Sequence, residues 1–445
     1  MNRFLAIVLL ALTIAAPASA QNTARMEQIV QDYVANKAFM GTVLVVKDDH
    51  ILLDKAYGFA NLEWNIPNTT ATKFRLGSLT KQFTAVSILL LEERNKLKLD
   101  DPVKKYFPDA PAAWDKITIF NLLNHTSGIP NMTAFDNFKE VMRKTMTPAD
   151  LVAGFRDRPL DFQPGEKYSY SNSGYIVLGV IIEKASGVSY AQFLQDNIFA
   201  PLGMKASGYD SNSALIPLRA SGYGRRQEGL VNADFIDMSI PYSAGSLYST
   251  THDLWTWEKA LYSGKLISPA SLKKMTASFK DNYGFGLFIR DEKGRKQFWH
   301  NGSINGFATA LAWYPDHRLA IVALSNIAPG AATQMLSQLA DVVFGRPVLL
   351  ASERKEVSAD PKVLARYIGR YELRPDFVME ISQEGDHLFA QATKQSKIPL
   401  FAESEKTFFS RVVDAQITFE VNNDGPAAAL LLHQGGRDIR AKRLP

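Results

Sequence analysis

Ser78 and Lys81 stand three residues apart in RLGSLTKQFTA, a spacing that on a helix puts both side chains on one face, a turn apart. An amine so placed can take the proton of the hydroxyl, provided burial or neighbouring cations lower its pKa toward working pH. The same spacing recurs at Ser271 with Lys274 and at Ser352 with Lys355, one in a Lys-rich segment and one among charged residues, both expected at the surface. Only Ser78 opens a strongly apolar run, where the positive end of a buried helix would also favour an alkoxide or oxyanion.

Tyr170-Ser171-Asn172 is the one YxN among 16 tyrosines and precedes a second apolar helical run. Beside a lysine ammonium a phenolate is favoured, so Tyr170 is a candidate base or proton relay. Asn172 offers an amide that can donate to a substrate carbonyl. A surface aromatic loop is the plainer reading of this stretch. The third cluster is FWHNGSINGF, where a strand would place His300 and Gly302 on one face and Asn301 on the other. Gly302 would let a substrate backbone come close, with Ser303 next to it. The competing reading of His300 is a satisfied structural histidine.

The elements that must hold these residues are legible in outline. GTVLVVKDDHILLDKAYGF alternates as a β-hairpin from Gly41 to Phe59 about Asp48-Asp49. From Leu79 the period becomes helical, with Phe83, Val86 and Leu90 on one face. Helical stretches mix with Gly-, Pro-, Asn- and Ser-rich loops between Asp100 and Phe298, and strands return in FWHNG, ATALAWYP and LAIVALSN before a helical AATQMLSQLADVVFG. Strands at both ends with helices between predict an α+β fold, one antiparallel sheet closed by the two ends of a domain. This domain is expected over 21–345. A charged, proline-bracketed linker should follow over 346–361, then a small all-β barrel or sandwich over 362–445 with turns at Gly385-Asp386, Asp424-Gly425 and Gly435-Gly436.

The first twenty residues have Arg3, an apolar stretch from Phe4 to Ala16 and a terminal Ala18-Ser19-Ala20, the layout of a cleaved secretory signal rather than a membrane span. A periplasmic or secreted location is expected, with no span in the mature chain. The 445 residues contain no cysteine, so neither disulfides nor a lipid-bearing cysteine enters. Charge is mildly basic, 50 Lys and Arg against 45 Asp and Glu, without long single-sign blocks, which argues against a nucleic-acid partner. The seven histidines have no ligand spacing, and GxSxG, HExxH and P-loop patterns are missing, so no metal and no cofactor are expected.

In order, SxxK, YxN and HxG, with LLNHTSGIPN after the first and AGSLYSTTHDLWTW between the second and third, closely resemble the serine β-lactamase-like superfamily. The similarity covers about residues 25–345 and points to the branch of class C β-lactamases, D-alanyl-D-alanine carboxypeptidases, D-aminopeptidases and related esterases. The fold it implies is an antiparallel sheet flanked by helices, with a helical subdomain. It implies Ser78 as an acylated nucleophile, Lys81 as its activating amine, Tyr170 as the base that also protonates the leaving group, and Asn172 as a group orienting the substrate. The N–H groups of Ser78 and Ser303 would form the oxyanion hole. His300 departs from the lysine usual before xG; imidazole, with an ordinary pKa of about 6.5, is mostly neutral at pH 7. That weakens recognition of a substrate carboxylate and favours an ester or amide hydrolase on a small, D-amino-acid-containing or simple substrate. A true β-lactamase or carboxypeptidase is one alternative, and a non-catalytic binder of peptidoglycan fragments is another. The C-terminal unit, with YELRP at its start, resembles a lipocalin-like appendage that would pack on the catalytic domain, shape access to Ser78 or support an oligomer.

Overall fold

The computed structural model describes residues 18–226, 229–375, 377–393, 397–411, 415–421, 425–434 and 437–445. Residues 1–17 of the expected leader, and Asp424 and Gly435-Gly436 of the expected turns, lie outside them. Ala18-Ser19-Ala20 begin a helix, α1 (Ala18–Ala35), that the sequence reading did not foresee.

Strands β1 (Gly41–Lys47) and β2 (His50–Tyr57) form the expected hairpin. Asp48 and Asp49 between them both take left-handed φ, 50° and 63°, as a tight two-residue turn between twisted strands requires. The chain returns to this sheet as β3 (Phe288–Asp291), β4 (Lys296–Ile304), β5 (Phe307–Tyr314) and β6 (Leu319–Ser325). The order is β3-β4-β5-β6-β1-β2. Closure comes from β6 running antiparallel to β1, Gly41 opposite Ser325 and Lys47 opposite Leu319.

Strand parity divides the core into two layers. Val43 and Val45 of β1 and Ile321 and Ala323 of β6 face Met26 and Ile29 of α1 and Met335 and Leu339 of α4 (Ala332–Val343). Leu44, Val46, Val322 and Leu324 face the opposite layer, which holds the helical region. Each fully buried aliphatic of this kind contributes roughly 1.5–3 kcal/mol.

In that second layer lies α2 (Thr80–Glu93), and every residue from Thr80 to Leu91 is buried. The expectation of one apolar face was too small, because α2 runs between the sheet and α3 (Asn172–Ser186) and is covered all round. Its polar residues are therefore satisfied inside: Gln82 accepts from Trp257 Nε1 at 3.0 Å, and Thr84 donates to the Ser243 carbonyl at 2.6 Å. Gly179 lets α3 approach its neighbours, since a Cβ there would sit 2.1 Å from Ser243 Oγ.

Ion pairs tie the 346–361 segment to residues on either side of it. Arg25 of α1 grips Glu353 at 2.5 and 2.6 Å, while Arg354 bonds Glu403 at 2.9 Å and Arg411 bonds Glu356 at 3.0 Å. Beyond them eight strands, from Gly369–Arg374 to Arg437–Arg443, close into a barrel in which Tyr371 pairs with Arg443. Tyr367, Phe408, Phe419 and Leu432 fill it as a core of its own.

Candidate active site

Ser78 lies in a 3-10 turn, Gly77–Leu79, that leads into α2. Strand β4 is pressed against this turn. A Cβ on Gly302 would come 1.8 Å from the Leu76 carbonyl oxygen, and one on Gly77, with φ 55°, would come 2.9 Å from the Ser303 nitrogen. Thr309 Oγ1, opposite Gly302 on β5, donates to the same Leu76 oxygen at 2.7 Å. What approaches Gly302 is thus this chain's own backbone, not a substrate's. The glycines permit this contact, and Ser78 and Ser303 on its two sides both line one cavity.

Lys81 is fully buried, and its Nζ lies 3.0 Å from Ser78 Oγ, 2.8 Å from Asn172 Oδ1 and 2.9 Å from the Ala244 carbonyl. Burial holds its pKa well below the usual lysine range, and among the described residues no carboxylate offsets it. A neutral amine has two N–H donors and one lone pair. Asn172 Oδ1 and the Ala244 carbonyl can only accept, so they take the two hydrogens, and the lone pair is left for the Ser78 hydroxyl.

The Asn172 amide is fixed in turn: its Nδ2 donates to Asn131 Oδ1 at 3.3 Å and Thr133 Oγ1 at 3.2 Å. Tyr170 stands on the other side of the amine, its ring centroid 4.8 Å from Nζ. Burial raises its pKa, and a hydrogen bond with Ser78 only partly offsets this. Burial thus disfavours both the ammonium and the phenolate, against the expectation of a phenolate favoured by a neighbouring ammonium.

His300 and Gly302 stand behind the wall rather than on it. His300 is buried, with Nδ1 2.6 Å from the Asn301 carbonyl and Nε2 3.1 Å from Tyr283 Oη. A carbonyl only accepts, so the proton sits on Nδ1 and Nε2 receives the Tyr283 hydroxyl. Burial, with Lys81 adding to it, pushes its pKa down to about 3.

A cavity of about 220 Å³ opens at Ser78, lined by Asn172 and Ser303 and by apolar residues such as Phe138, Ile176, Ile236 and Ile304. Among the described residues none of those lining it carries a charge. The rival SxxK pairs lead elsewhere. Ser271 is buried, against expectation, but Lys274 turns to Glu92 at 2.9 Å; Ser352 and Lys355 are exposed.

Asn131, Thr133 and Ala244 were not singled out from the sequence, though the stretches LLNHTSGIPN and AGSLYSTTHDLWTW contain Asn131 and Ala244. Tyr283 had no sequence signal at all.

Comparison with known proteins agrees with this geometry. Residues 26–343 match the Beta-lactamase family, and residues 353–443 match a domain of unknown function, DUF3471. A penicillin-binding protein of Bacillus subtilis is 32% identical over 91% of this chain and 95% of its own. Among solved structures, an octameric penicillin-binding protein homologue from Pyrococcus abyssi has a TM-score of 0.68 at 26% identity, covering 94% of this chain and 99% of that one. A D-stereospecific amidohydrolase from Streptomyces has a TM-score of 0.63 at 25% identity, covering 72% of this chain and 98% of its own. The match takes in the sheet, both helical layers and the turn that carries Ser78, and the chain belongs to the beta-lactamase family of serine hydrolases.

Proposed function

We propose that this chain is an exported hydrolase that forms an acyl-enzyme on Ser78 and cleaves a small ester or amide with a neutral, largely apolar acyl group. The observation that carries the reading is Lys81, buried without a counter-ion and 3.0 Å from Ser78 Oγ.

Acylation follows from that arrangement. The Ser78 hydroxyl gives its proton to the Lys81 lone pair as Oγ bonds to the acyl carbon, and the oxyanion is met by the Ser78 and Ser303 N–H groups. Each such donor is worth about 10²–10³ in rate. The leaving group takes the Tyr170 phenol proton as its bond to carbon breaks, and the Lys81 ammonium returns a proton to Tyr170. Water then attacks the acyl carbon as Lys81 takes its proton, and Lys81 passes that proton to Ser78 Oγ as the acyl–oxygen bond breaks, which restores the neutral amine and the serine hydroxyl. Tyr170 suits the acid role because burial keeps its proton on, and Asn172 suits the task of holding Lys81 rather than the substrate.

The uncharged cavity supports the substrate class. It offers no cation for the carboxylate of a penicillin and no carboxylate for a free α-ammonium, so esters and amine-blocked D-amino-acid peptides fit it better than either. Neutral His300 does not replace the usual lysine as a positive charge. Export is supported by the leader-like start, Arg3 before Phe4 to Ala16. Among the described residues no single helix is long and apolar enough to cross a membrane; a bent pair, Asn172–Ser186 with Tyr190–Leu202, passes on length and composition but α3 is packed in the core.

The test is intact mass of residues 21–445 after a fluorophosphonate probe, beside Ser78→Ala, followed by turnover of p-nitrophenyl butyrate, D-alanine p-nitroanilide and nitrocefin. One adduct on the wild type, none on the variant, and a preference for the butyrate is the expected result. No adduct on a folded wild type would instead favour a binding protein, and a preference for nitrocefin would favour a β-lactamase.

A further inference from the structure

His125 takes no part in the steps above, yet it packs directly against Tyr170. Its carbonyl accepts from the Ser169 N–H at 2.9 Å, and its Nδ1 accepts from the Ser171 N–H at 3.1 Å. One residue thus holds the backbone on both sides of Tyr170. Its ring also lies against the Tyr170 ring, centroids 4.3 Å apart at 36°.

We propose that His125 is the positioning residue for Tyr170, acting as a neutral Nδ1 acceptor that fixes the phenol for proton transfer to the leaving group. The inference rests on the acid role assigned to Tyr170 above.

Three further observations bear on it. His125 is buried, and its φ of 58° is left-handed, a conformation that non-glycine residues other than Asn, Asp and His rarely adopt. Since Nδ1 accepts, the proton must be on Nε2. Nε2 has no hydrogen-bond partner, and the ring packs among phenol rings, with Tyr175 and Tyr283 at centroid distances of 5.0 and 4.7 Å. A second proton, on Nδ1, would confront the Ser171 N–H, with Lys81 and His300 nearby to oppose the charge. The imidazole is therefore held in one tautomer, and it keeps an orphaned buried N–H that an apolar side chain would avoid. Retaining that orphan in a buried site fits a requirement for the Nδ1 acceptor.

The test uses leaving-group dependence, which a general loss of fold would not change. Let R be kcat/KM for p-nitrophenyl butyrate over kcat/KM for ethyl butyrate, the first leaving group needing no proton and the second needing one. Tyr170→Phe should raise R by about 10²-fold, the lower end of what general acid catalysis supplies. His125→Leu, which removes the acceptor, should raise R by about tenfold or more, and His125→Asn, whose oxygen can occupy the Nδ1 position and which tolerates left-handed φ, should stay within about threefold of wild type. In the Tyr170→Phe background His125→Leu should change R no further. Should the leucine variant not fold, His125→Gln, whose amide reaches the Nε2 position instead, takes its place with the same expectation. If Tyr170→Phe leaves R unchanged, the acid role of Tyr170 is wrong and the inference goes with it. If Tyr170→Phe raises R but His125→Leu lowers both rates equally, or acts additively with it, the inference alone is overturned.

Discussion

Replacing Lys81 by Met should stabilise the protein at neutral pH and remove a specific pH dependence of its stability. With the Lys81 pKa depressed by burial, the unfolded chain holds one proton more than the folded one between the folded pKa and the ordinary value of 10.5. Stability therefore rises with pH across that interval, by about 1.36 kcal/mol per unit while the folded amine stays neutral. Methionine has no proton to lose, so the difference in unfolding free energy between variant and wild type should shrink by about 2.7 kcal/mol from pH 7.5 to 9.5. Other titrations fall away in the difference. His125 and His300, also depressed, act below pH 6.5, and buried Glu258, whose pKa is raised, contributes alike to both proteins. The assay is urea unfolding followed by tryptophan fluorescence. All six tryptophans, Trp64 to Trp313, precede the barrel, so the signal reports the sheet-and-helix unit alone. A difference that stays constant between pH 7.5 and 9.5 would mean that Lys81 keeps its proton in the fold, and the first base would have to be sought elsewhere.

Three further substitutions test the wall around it. Gly302→Ala puts a methyl 1.8 Å from the Leu76 oxygen, so it should cost about 1–3 kcal/mol in urea unfolding and lower kcat/KM by about 10²-fold as the Ser78 turn is pushed away; a variant normal in both would contradict the strand-to-turn contact. Asn172→Asp places a carboxylate where an amide oxygen now lies 2.8 Å from Nζ. It raises the Lys81 pKa, so the acidic limb of kcat/KM against pH should move to higher pH, and an unmoved limb would remove Lys81 as the titrating base. His300→Gln keeps an acceptor for Tyr283, and since the imidazole is neutral down to about pH 3, the kcat/KM profile between pH 5 and 8 should keep its shape. A limb near pH 6.5 in the wild type that vanishes in the variant would show that His300 does titrate.

What the sequence made legible was set by short-range pattern. The Gly41–Tyr57 hairpin and the return strands through Ser325 have period-two alternation or continuous apolar runs, and Ser78 with Lys81 sits where a turn enters a helix. Contacts between distant segments left no such trace. The fully buried surface of α2 follows from α3 covering its outer face, which no window around Thr80 reveals. Tyr283 is recruited by His300 from a loop of ordinary composition, and Gly302 answers to Leu76, far away in the chain. At Tyr170 burial raises the pKa where a neighbouring ammonium would lower it, and the sequence shows which charge is near but not whether water is.

The departure at His300 and the state of Lys81 are two sides of one arrangement. A lysine at 300 would set a second ammonium against Lys81, and each would push the other toward the neutral form. Here desolvation alone lowers the Lys81 pKa, and imidazole at 300 stays uncharged with its Nε2 taken by Tyr283. The amine can then serve as a base without a cationic neighbour. Among the described residues that line the cavity none is charged, and neutral His300 behind its wall adds no cation. Base activation and substrate charge are coupled through a single position. On the proposed reading, a histidine before Gly302 goes with a preference for neutral acyl groups, and the apolar lining of Ile176, Ile236 and Ile304 is consistent with it.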